Sequence, residues 1–579
     1  SFTLNGPKNN KNGIGAKIFI YTPNNKQVKE AFVSRGFQSS VTNKIHFGLA
    51  NETKIDSVIV KWDSNFHQKL TKVTSNKNTI INFSEASDYQ PKKTKKAFEY
   101  TELNPISLGI TFQHKENINN DYLTQLLLPQ KQSEITSALA VADVNNDGLD
   151  DFYVGNARGS AAHLYIQMKN GKFKSSNKQL FYSDKIYEDT NALFFDADND
   201  GDIDLYVAYG GDELYENNPL LQDRLYINNG SGFFKKSDRL PAMLSFTKAI
   251  AANDFDNDGD IDLFVGSRVV PGKYPLSEPS YLLENRGGKF VHASPKNANG
   301  FEEMNMVNDA IFSDFDNDGD ADLIVVGEWM EILFYENNQG TFSKKDIPAL
   351  SNSNGWQQSI KEFDYNNDGL KDYLIGNWGH NNKFHPTEKK PLHIYADYFD
   401  SNQSFDIALS KISKGKLVPV RGKECSTQQT PFLANKIGNY SQFANATIGE
   451  IYGEDKLSKA THYRAYNFNT LVLKNLGNGK FELNNLPNYA QFSPVLGFEI
   501  IEQEIISVGN VYDAEVETVR YDASQGFVMQ YKDDSFSIKL NTGFNVNKDS
   551  KAIKKITIKG KTHLIVLNKN NSLSIFNKN

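Results

Sequence analysis

The 579-residue chain has a single cysteine, Cys425, which excludes an internal disulfide framework. That scarcity does not fix a compartment, because a large repeat domain held by metal needs no disulfides. Long apolar runs are also missing. The longest candidates, such as Leu323 to Val326, read as buried strands and fall far short of the roughly 20 residues that a membrane-crossing helix requires. No basic run is interleaved with aromatics, so nucleic acid is not an expected partner; Lys92 to Lys96 reads as a solvated linker. No His-Glu-x-x-His, Gly-x-Ser-x-Gly, phosphate-binding or dinucleotide fingerprint stands at a strand–helix junction. Cys425 has no nearby histidine partner and is expected to pack rather than react. An enzyme is therefore not expected. The chain starts at Ser1 without Met, inside what reads as a strand, and a further piece upstream is expected.

What is present points to β structure. Aromatics make up 12% of the residues, and the 40 glycines suit many tight turns. A nine-residue Asp-rich loop occurs five times, starting at Asp143, Asp196, Asp254, Asp314 and Asp364, with spacings of 53, 58, 60 and 50 residues. Each copy lies between two short apolar segments, such as Ala249 to Ala252 and Leu263 to Gly266. A Gly-turned hairpin such as Tyr281 to Val291 follows. Four strands per period predict propeller blades.

Oxygen ligands at alternate places of a tight loop converge on one cation when glycine lets the chain turn, as calcium needs. The expected ligands, with the seventh place giving its backbone carbonyl, are Asp143, Asn145, Asp147, Leu149 and Asp151; Asp196, Asp198, Asp200, Asp202 and Asp204; Asp254, Asp256, Asp258, Asp260 and Asp262; Asp314, Asp316, Asp318, Asp320 and Asp322; and Asp364, Asn366, Asp368, Leu370 and Asp372. Gly148, Gly201, Gly259, Gly319 and Gly369 take the sixth place. The twelfth is Val154, Val207, Val265, Val325 or Ile375, where an EF-hand needs Glu. Five copies holding the same places argue against plain solvated turns, since clustered carboxylates repel without a cation. About five Ca²⁺ ions are expected, with a structural role. Setting aside the eighteen side-chain aspartates turns the formal charge of −7 into +11, so the acidity is concentrated at these loops.

Past residue 390 the repeat wears down. Ile394 to Asp406 is a degraded copy with Tyr398 at its first ligand place, and no tight site is expected there. Thr470 to Leu483 reads as a strand pair, Phe498 to Gly509 as a pair joined by Glu502-Gln503-Glu504, and Ile556 to Phe576 as three strands. Lys96 to Tyr100 is available to complete the last blade. This count predicts an all-β fold, a β-propeller of eight blades with seven the alternative, over 97–579. A small β-sandwich or barrel over 1–85 and a linker over 86–96 precede it.

The loops resemble FG-GAP/VCBS repeats of integrin-type propellers. Ala138 to Val144, Arg268 to Pro275, Val326 to Met330 and Arg421 to Ser426 resemble landmarks of bacterial VCBS-repeat proteins with an ASPIC/UnbV domain, relatives of cartilage acidic protein. Asn12 to Lys17, His46 to Leu49 and Val58 to Trp62 resemble the ASPIC/UnbV pattern itself. The resemblance implies a calcium-stabilised secreted or cell-surface protein, held by a lipid anchor or a partner. Its implied role is binding or scaffolding, as an accessory subunit of an outer-membrane nutrient-uptake complex. The alternative is a carbohydrate-binding or polysaccharide-degrading propeller with a glycan or peptide ligand. For that alternative, Glu328, Glu331 and Glu424 are acids without metal duty. Trp329, Trp356 and Trp378 offer either an aromatic platform or inter-blade packing, with packing preferred. His380, His385 and His393 read as loop residues.

Overall fold

The structure, a computed structural model, describes residues 1–63, 65–88, 98–135 and 137–579. The chain divides into two compact units, 1–97 and 98–579. Most of the expected linker, from residue 89 on, lies outside the described residues, as do Lys92 to Lys96 and the Lys96 end of the expected closing strand.

In the first unit, Lys26–Glu30, Lys17–Tyr21, Ser57–Lys61, Phe66–Leu70 and Ser87–Asp88 form one sheet in that order. Phe2–Asn5 pairs in parallel with Thr79–Asn82. Alternation along the strands decides which side chains are buried: Ile18 and Ile20, with Val58 and Val60, face a core shared with Phe2, Leu4, Trp62 and Ile81.

The second unit repeats one motif, four antiparallel strands in a meander. The first sheet comprises Leu139–Ala142, Asp151–Val154, His163–Gln167 and Phe173–Ser176, and the second Asp189–Phe195, Asp204–Tyr209, Arg224–Asn228 and Phe234–Ser237. The third comprises Thr247–Asn253, Asp262–Ser267, Tyr281–Asn285 and Phe290–His292. The fourth has Met306–Ser313, Asp322–Met330, Leu333–Asn338 and Thr341–Lys344, and Gly355–Trp356 pairs with the overhanging end of its second strand. The fifth joins Ser359–Glu362 and Tyr373–Gly376 to Leu471–Asn475 and Phe481–Asn485. The sixth is Val495–Ile501, Glu504–Gly509, Phe527–Lys532 and Ser535–Ile538. The seventh is Ser550–Ile558, Lys561–Asn568 and Ser574–Lys578, completed by Tyr100–Leu103 from the other end of the unit.

The second strands are buried on both faces, which is why they read as unbroken apolar runs. In Asp204–Tyr209, Leu205 and Val207 pack against the first sheet, while Tyr206 and Ala208 pack against the third. The same period of two builds an apolar layer between every successive pair of sheets. A further layer, with Phe152 and Val154 against Ile565 and Leu567, joins the seventh sheet to the first.

The worn copy starting at Ile394 does not begin a sheet of this series. Leu392–Asp397 and Asp406–Ser413 pair with Lys416–Pro419 and Thr461–Ala465 in a separate sheet inserted between the second and third strands of the fifth. Five short helices from Lys423–Gln429 to Glu454–Leu457 complete the insertion. Thr470 to Leu483, expected in a later repeat, returns to finish the fifth sheet, so among the described residues seven meandering sheets carry the series where the sequence pattern predicts eight.

Candidate metal centres

Each Asp-rich loop links the first strand of a sheet to its second. Its shape follows from two residue types. Asn146, Asn199, Asn257, Asn317 and Asn367, at the fourth place, have φ between 56° and 62°. The glycine two residues later has φ from 80° to 99°. Both are left-handed conformations that Asn and Gly adopt at low cost. The chain thus wraps around the first aspartate, whose carboxylate accepts the glycine N–H: Gly148 to Asp143 at 2.7 Å, Gly201 to Asp196 at 2.9 Å and Gly259 to Asp254 at 3.0 Å.

In the second, third and fourth loops, carboxylate oxygens from the first, third and ninth places gather within 4.8 Å of one another. The trios are Asp196, Asp198 and Asp204; Asp254, Asp256 and Asp262; and Asp314, Asp316 and Asp322. Asn145 and Asn366 take the third place in the first and fifth loops, giving those loops one charge fewer. The fifth-place aspartates lie outside the trios and accept the seventh-place N–H, as Asp200 does from Asp202 at 2.9 Å and Asp368 from Leu370 at 2.9 Å. The seventh-place side chains turn to the neighbouring sheet instead: Asn146 donates to Asp202 at 3.1 Å and Asn257 to Asp320 at 3.3 Å.

The ninth aspartate is fully buried in all five loops and is gripped by backbone. Asp262, for example, accepts N–H bonds from Phe255 at 3.2 Å and Asn285 at 2.7 Å. Burial raises Asp204 and Asp372 to about 6 and Asp151, Asp262 and Asp322 to about 7, against the lowering effect of those N–H donors and with help from the neighbouring carboxylates. Burial followed by Asp258 raises Asp256, and burial followed by Asp318 raises Asp316. Asp196 Oδ1, Asp198 Oδ1 and Asp316 Oδ1 are buried with no hydrogen-bond partner. Convergent, desolvated and partly unpartnered carboxylates are the donor set that a hard divalent cation fits. When bound, such an ion supplies the positive charge that lets all three acids of a trio ionise.

The sequence reading missed one residue set. Asn228, Asn285, Asn337 and Asn475 sit at equivalent points of the third strands, and each donates its side-chain amide to a backbone carbonyl in the preceding sheet's loop: Val144, Ala197, Phe255 and Phe315, at 2.7 to 3.0 Å. Each also gives its N–H to its own ninth-place aspartate. Asp-rich loop, sheet and neighbouring sheet are therefore tied at one point. The recurring Asn before a turn, as in Asn228-Asn229-Gly230 and Asn285-Arg286-Gly287, was the available signal.

The arc without intact loops is held differently. Glu504 accepts from Tyr100 at 2.7 Å and pairs with Lys539 and Lys578, while Glu502 pairs with Lys578 at 2.9 Å. In the inserted sheet, Asp406 is buried against the hydroxyls of Ser404 and Thr430.

Trp329, Trp356 and Trp378 are not a platform. All three are buried, and Trp356 packs edge-on to Trp329 at 5.4 Å and to Trp378 at 5.2 Å inside a core shared with Phe384 and Phe468. Glu328 is fully buried and pairs with Arg268 at 2.8 Å, Glu331 pairs with Lys344, and Glu424 accepts from Tyr440. His393 is not a loop residue: it lies in Leu392–Asp397 with Nδ1 2.9 Å from His462 Nε2, and burial lowers both rings to about 4. Cys425 is half-buried in helix Lys423–Gln429. Its thiol donates to Glu517 at 3.4 Å, and burial and that carboxylate push it up, away from the thiolate.

No helix among the described residues is long and apolar enough to cross a membrane. No curated protein matches the chain. Among solved structures it is similar to the V. cholerae biofilm matrix protein Bap1, at 11% identity and a TM-score of 0.32, over 80% of this chain and 90% of that one. The family model for ASPIC and UnbV matches residues 6–88, and that for the FG-GAP-like repeat matches 143–207, 196–265 and 314–375. The chain therefore carries an ASPIC/UnbV domain followed by FG-GAP-like repeats.

Proposed function

We propose that the seven sheets close into one seven-bladed propeller, and that each of the five loops holds a calcium ion whose task is to keep its blade folded. The apolar layers between successive sheets, including that between seventh and first, support the closure. The three aspartate trios support the metal, with Asn145 and Asn366 completing weaker sites in the outer two loops.

The propeller acts as a non-enzymatic binding module on an exported or cell-surface protein. The observation that carries this reading is one face, formed by the long connections after the second strands. Segment 117–135, the inserted helices and the connections following the second, third and sixth sheets' second strands meet there through bonds such as Asn117 to Glu213, Gly272 to Asp212 and Glu515 to Pro129. They leave Ile118, Leu123, Val516, Val519, Tyr215 and Tyr440 exposed. Apolar side chains on interlocked loops suit a protein partner. The partner we favour is the outer-membrane transporter of a nutrient-uptake complex, to which this chain is an accessory subunit. Affinity isolation of the native protein tests this: a transporter should co-purify and be lost in Leu123→Asp/Val516→Asp without a change in melting. Isolation without a partner overturns it.

A cleft of about 780 Å³ favours carbohydrate binding as a second reading. Glu302, Glu303, Glu331, Tyr335, Tyr463 and Arg464 are among the residues that line it. Glycan-array binding separates this reading from the first.

A further inference from the structure

The first strands of all seven sheets line a cavity of about 430 Å³, and segment 130–135, with Ser137, lies at one end. That segment is fixed by Lys131 N–H to Asp513 O, by Lys569 pairing with Glu134, and by Ser133 and Gln132 N–H donation to Asp121. Exposure rises toward the other end, where Lys554 lies on the surface, so the channel is blind at the capped end and open toward the metal loops.

Its walls change character along its length. Near the cap, the first strands of five sheets carry a register shift at the same point, bypassing Thr190, Lys248, Asn308, Leu496 and Lys551. Bulges re-aim side chains, and the last four of these five line the cavity. Toward the open end Leu193, Ile250, Ile311, Phe498 and Ile553 make the lining largely apolar, with Lys361 and Lys554 beside them.

Most charges at the blind end are paired, Arg268 with Glu328 and Lys551 with Asp549. Two are not. Lys248 donates to Ser137 Oγ, to Ile135 O at 3.1 Å and to Thr190 O at 3.4 Å, and Asp309 on the adjacent strand accepts N–H bonds from Ala310 and Ile360, at 3.0 and 2.9 Å. Among the described residues neither has an opposite charge at ion-pair distance, although each feels the other's field. Burial lowers Lys248 to about 7 and raises Asp309, so their hydrogen bonds do not make up for the missing opposite charge. Gln130, 3% exposed, lines the same end with neither amide atom hydrogen-bonded. A separated ammonium and carboxylate, an unsatisfied amide and an apolar throat together complement a small zwitterion with an apolar tail.

We propose that this channel binds an α-amino acid or dipeptide with apolar side chains, its carboxylate toward Lys248, its ammonium toward Asp309 and its side chain in the throat. The site is independent of what docks on the loop face. Calorimetry on the calcium-loaded full chain, with L-leucine, L-phenylalanine and Leu-Leu as probes, should detect binding. N-acetyl-leucine and leucinamide, each missing one charge, should bind at least about tenfold more weakly, because each leaves a buried protein charge unpaired. Lys248→Met and Asp309→Asn should each abolish binding while keeping the calcium-dependent melting transition. Absence of binding at millimolar zwitterion, equal binding of the capped analogues, or retained binding in both folded variants overturns the proposal. If a variant fails to fold, the capped analogues on the unaltered protein decide.

Discussion

Removing one carboxylate from an aspartate trio should have opposite effects with and without calcium. Consider Asp256→Ala. An ion at a hundred times its dissociation constant contributes about 2.7 kcal/mol per site. Three full trios then contribute about 8 kcal/mol, comparable to the roughly 5–15 kcal/mol that keeps a whole domain folded. Residues 98–579 unfold with an entropy of about 1 kcal/mol/K, taking roughly 2.1 cal/mol/K per residue. Excess chelator should therefore lower the melting temperature by about 8 °C if only the trios bind, and by more if all five loops do. In saturating calcium, Asp256→Ala should lower it by about 3 °C, the share of one site. In chelator the same change removes one of three acids within 4.8 Å, where each ionised pair repels by about 3 kcal/mol at an effective dielectric of 20. The variant should then melt at or above the unaltered protein. Differential scanning calorimetry in both buffers, with exposed Asp346→Ala as the control, measures the difference. An equal shift in the two buffers would show that Asp256 serves packing rather than a cation. Indifference of the unaltered protein to chelator would refute the metal altogether.

Three further outcomes follow from the same geometry. In chelator, stability should fall as pH rises from about 4 through 7, because Asp204, Asp262 and Asp322 have folded pKa values of about 6 to 7, above the unfolded 3.8, and retain protons that the unfolded chain has lost; calcium should abolish this slope. Asn285→Ala leaves the carbonyls of Ala197 and Ile261 without their buried donor and should cost about 2–4 kcal/mol in urea unfolding, without changing calcium affinity at the third loop by more than a few-fold. Glu504→Gln removes the charge that pairs with Lys539 and Lys578 and strengthens the Tyr100 bond, in the arc without intact loops. It should cost about 3 kcal/mol equally with and without calcium, and the loss should shrink on acidification below the usual carboxylate range, because those partners hold Glu504 low in the folded state.

The features legible in the sequence were those set by local chemistry. Asp at alternate places, Asn and Gly in left-handed turns and an apolar second strand all lie within about fifteen residues, and their repetition removed the ambiguity of any single copy. Pairing across an insertion was not legible. Tyr373–Gly376 pairs with Leu471–Asn475, nearly a hundred residues later, and the degraded copy at Ile394 has the strand–loop–strand pattern of a blade start while pairing inside the insertion. Local pattern fixes that a strand exists, and the buried face it completes fixes where it pairs. Leu471 and Leu473 fit the fourth-to-fifth layer beside Tyr373 and Ile375. The Asn tethers were hidden for a related reason. From the ninth-place aspartate to its Asn partner the chain runs 24, 23, 15 and 103 residues, so no fixed spacing exposes a contact that is constant in space.

That constancy bears on how the molecule tolerates its own irregularity. Each third-strand Asn binds the loop of the preceding sheet, so a cation bound in one loop would stiffen the attachment point of the next sheet as well as its own. The chain of tethers runs from the first loop to the fifth sheet and stops there. The sixth and seventh sheets, which lack such loops, rely on the Glu504 network and on pairing between Tyr100–Leu103 and Ser574–Lys578. Calcium depletion should accordingly loosen the molecule unevenly. Amide exchange in chelator should rise first in Asp204–Tyr209, Asp262–Ser267 and Asp322–Met330, whose starts the trios anchor, and last in Glu504–Gly509 and Lys561–Asn568. Uniform acceleration across all seven sheets would mean that the ions stabilise the unit only as a whole, and that the tethers do not transmit their effect from one sheet to the next.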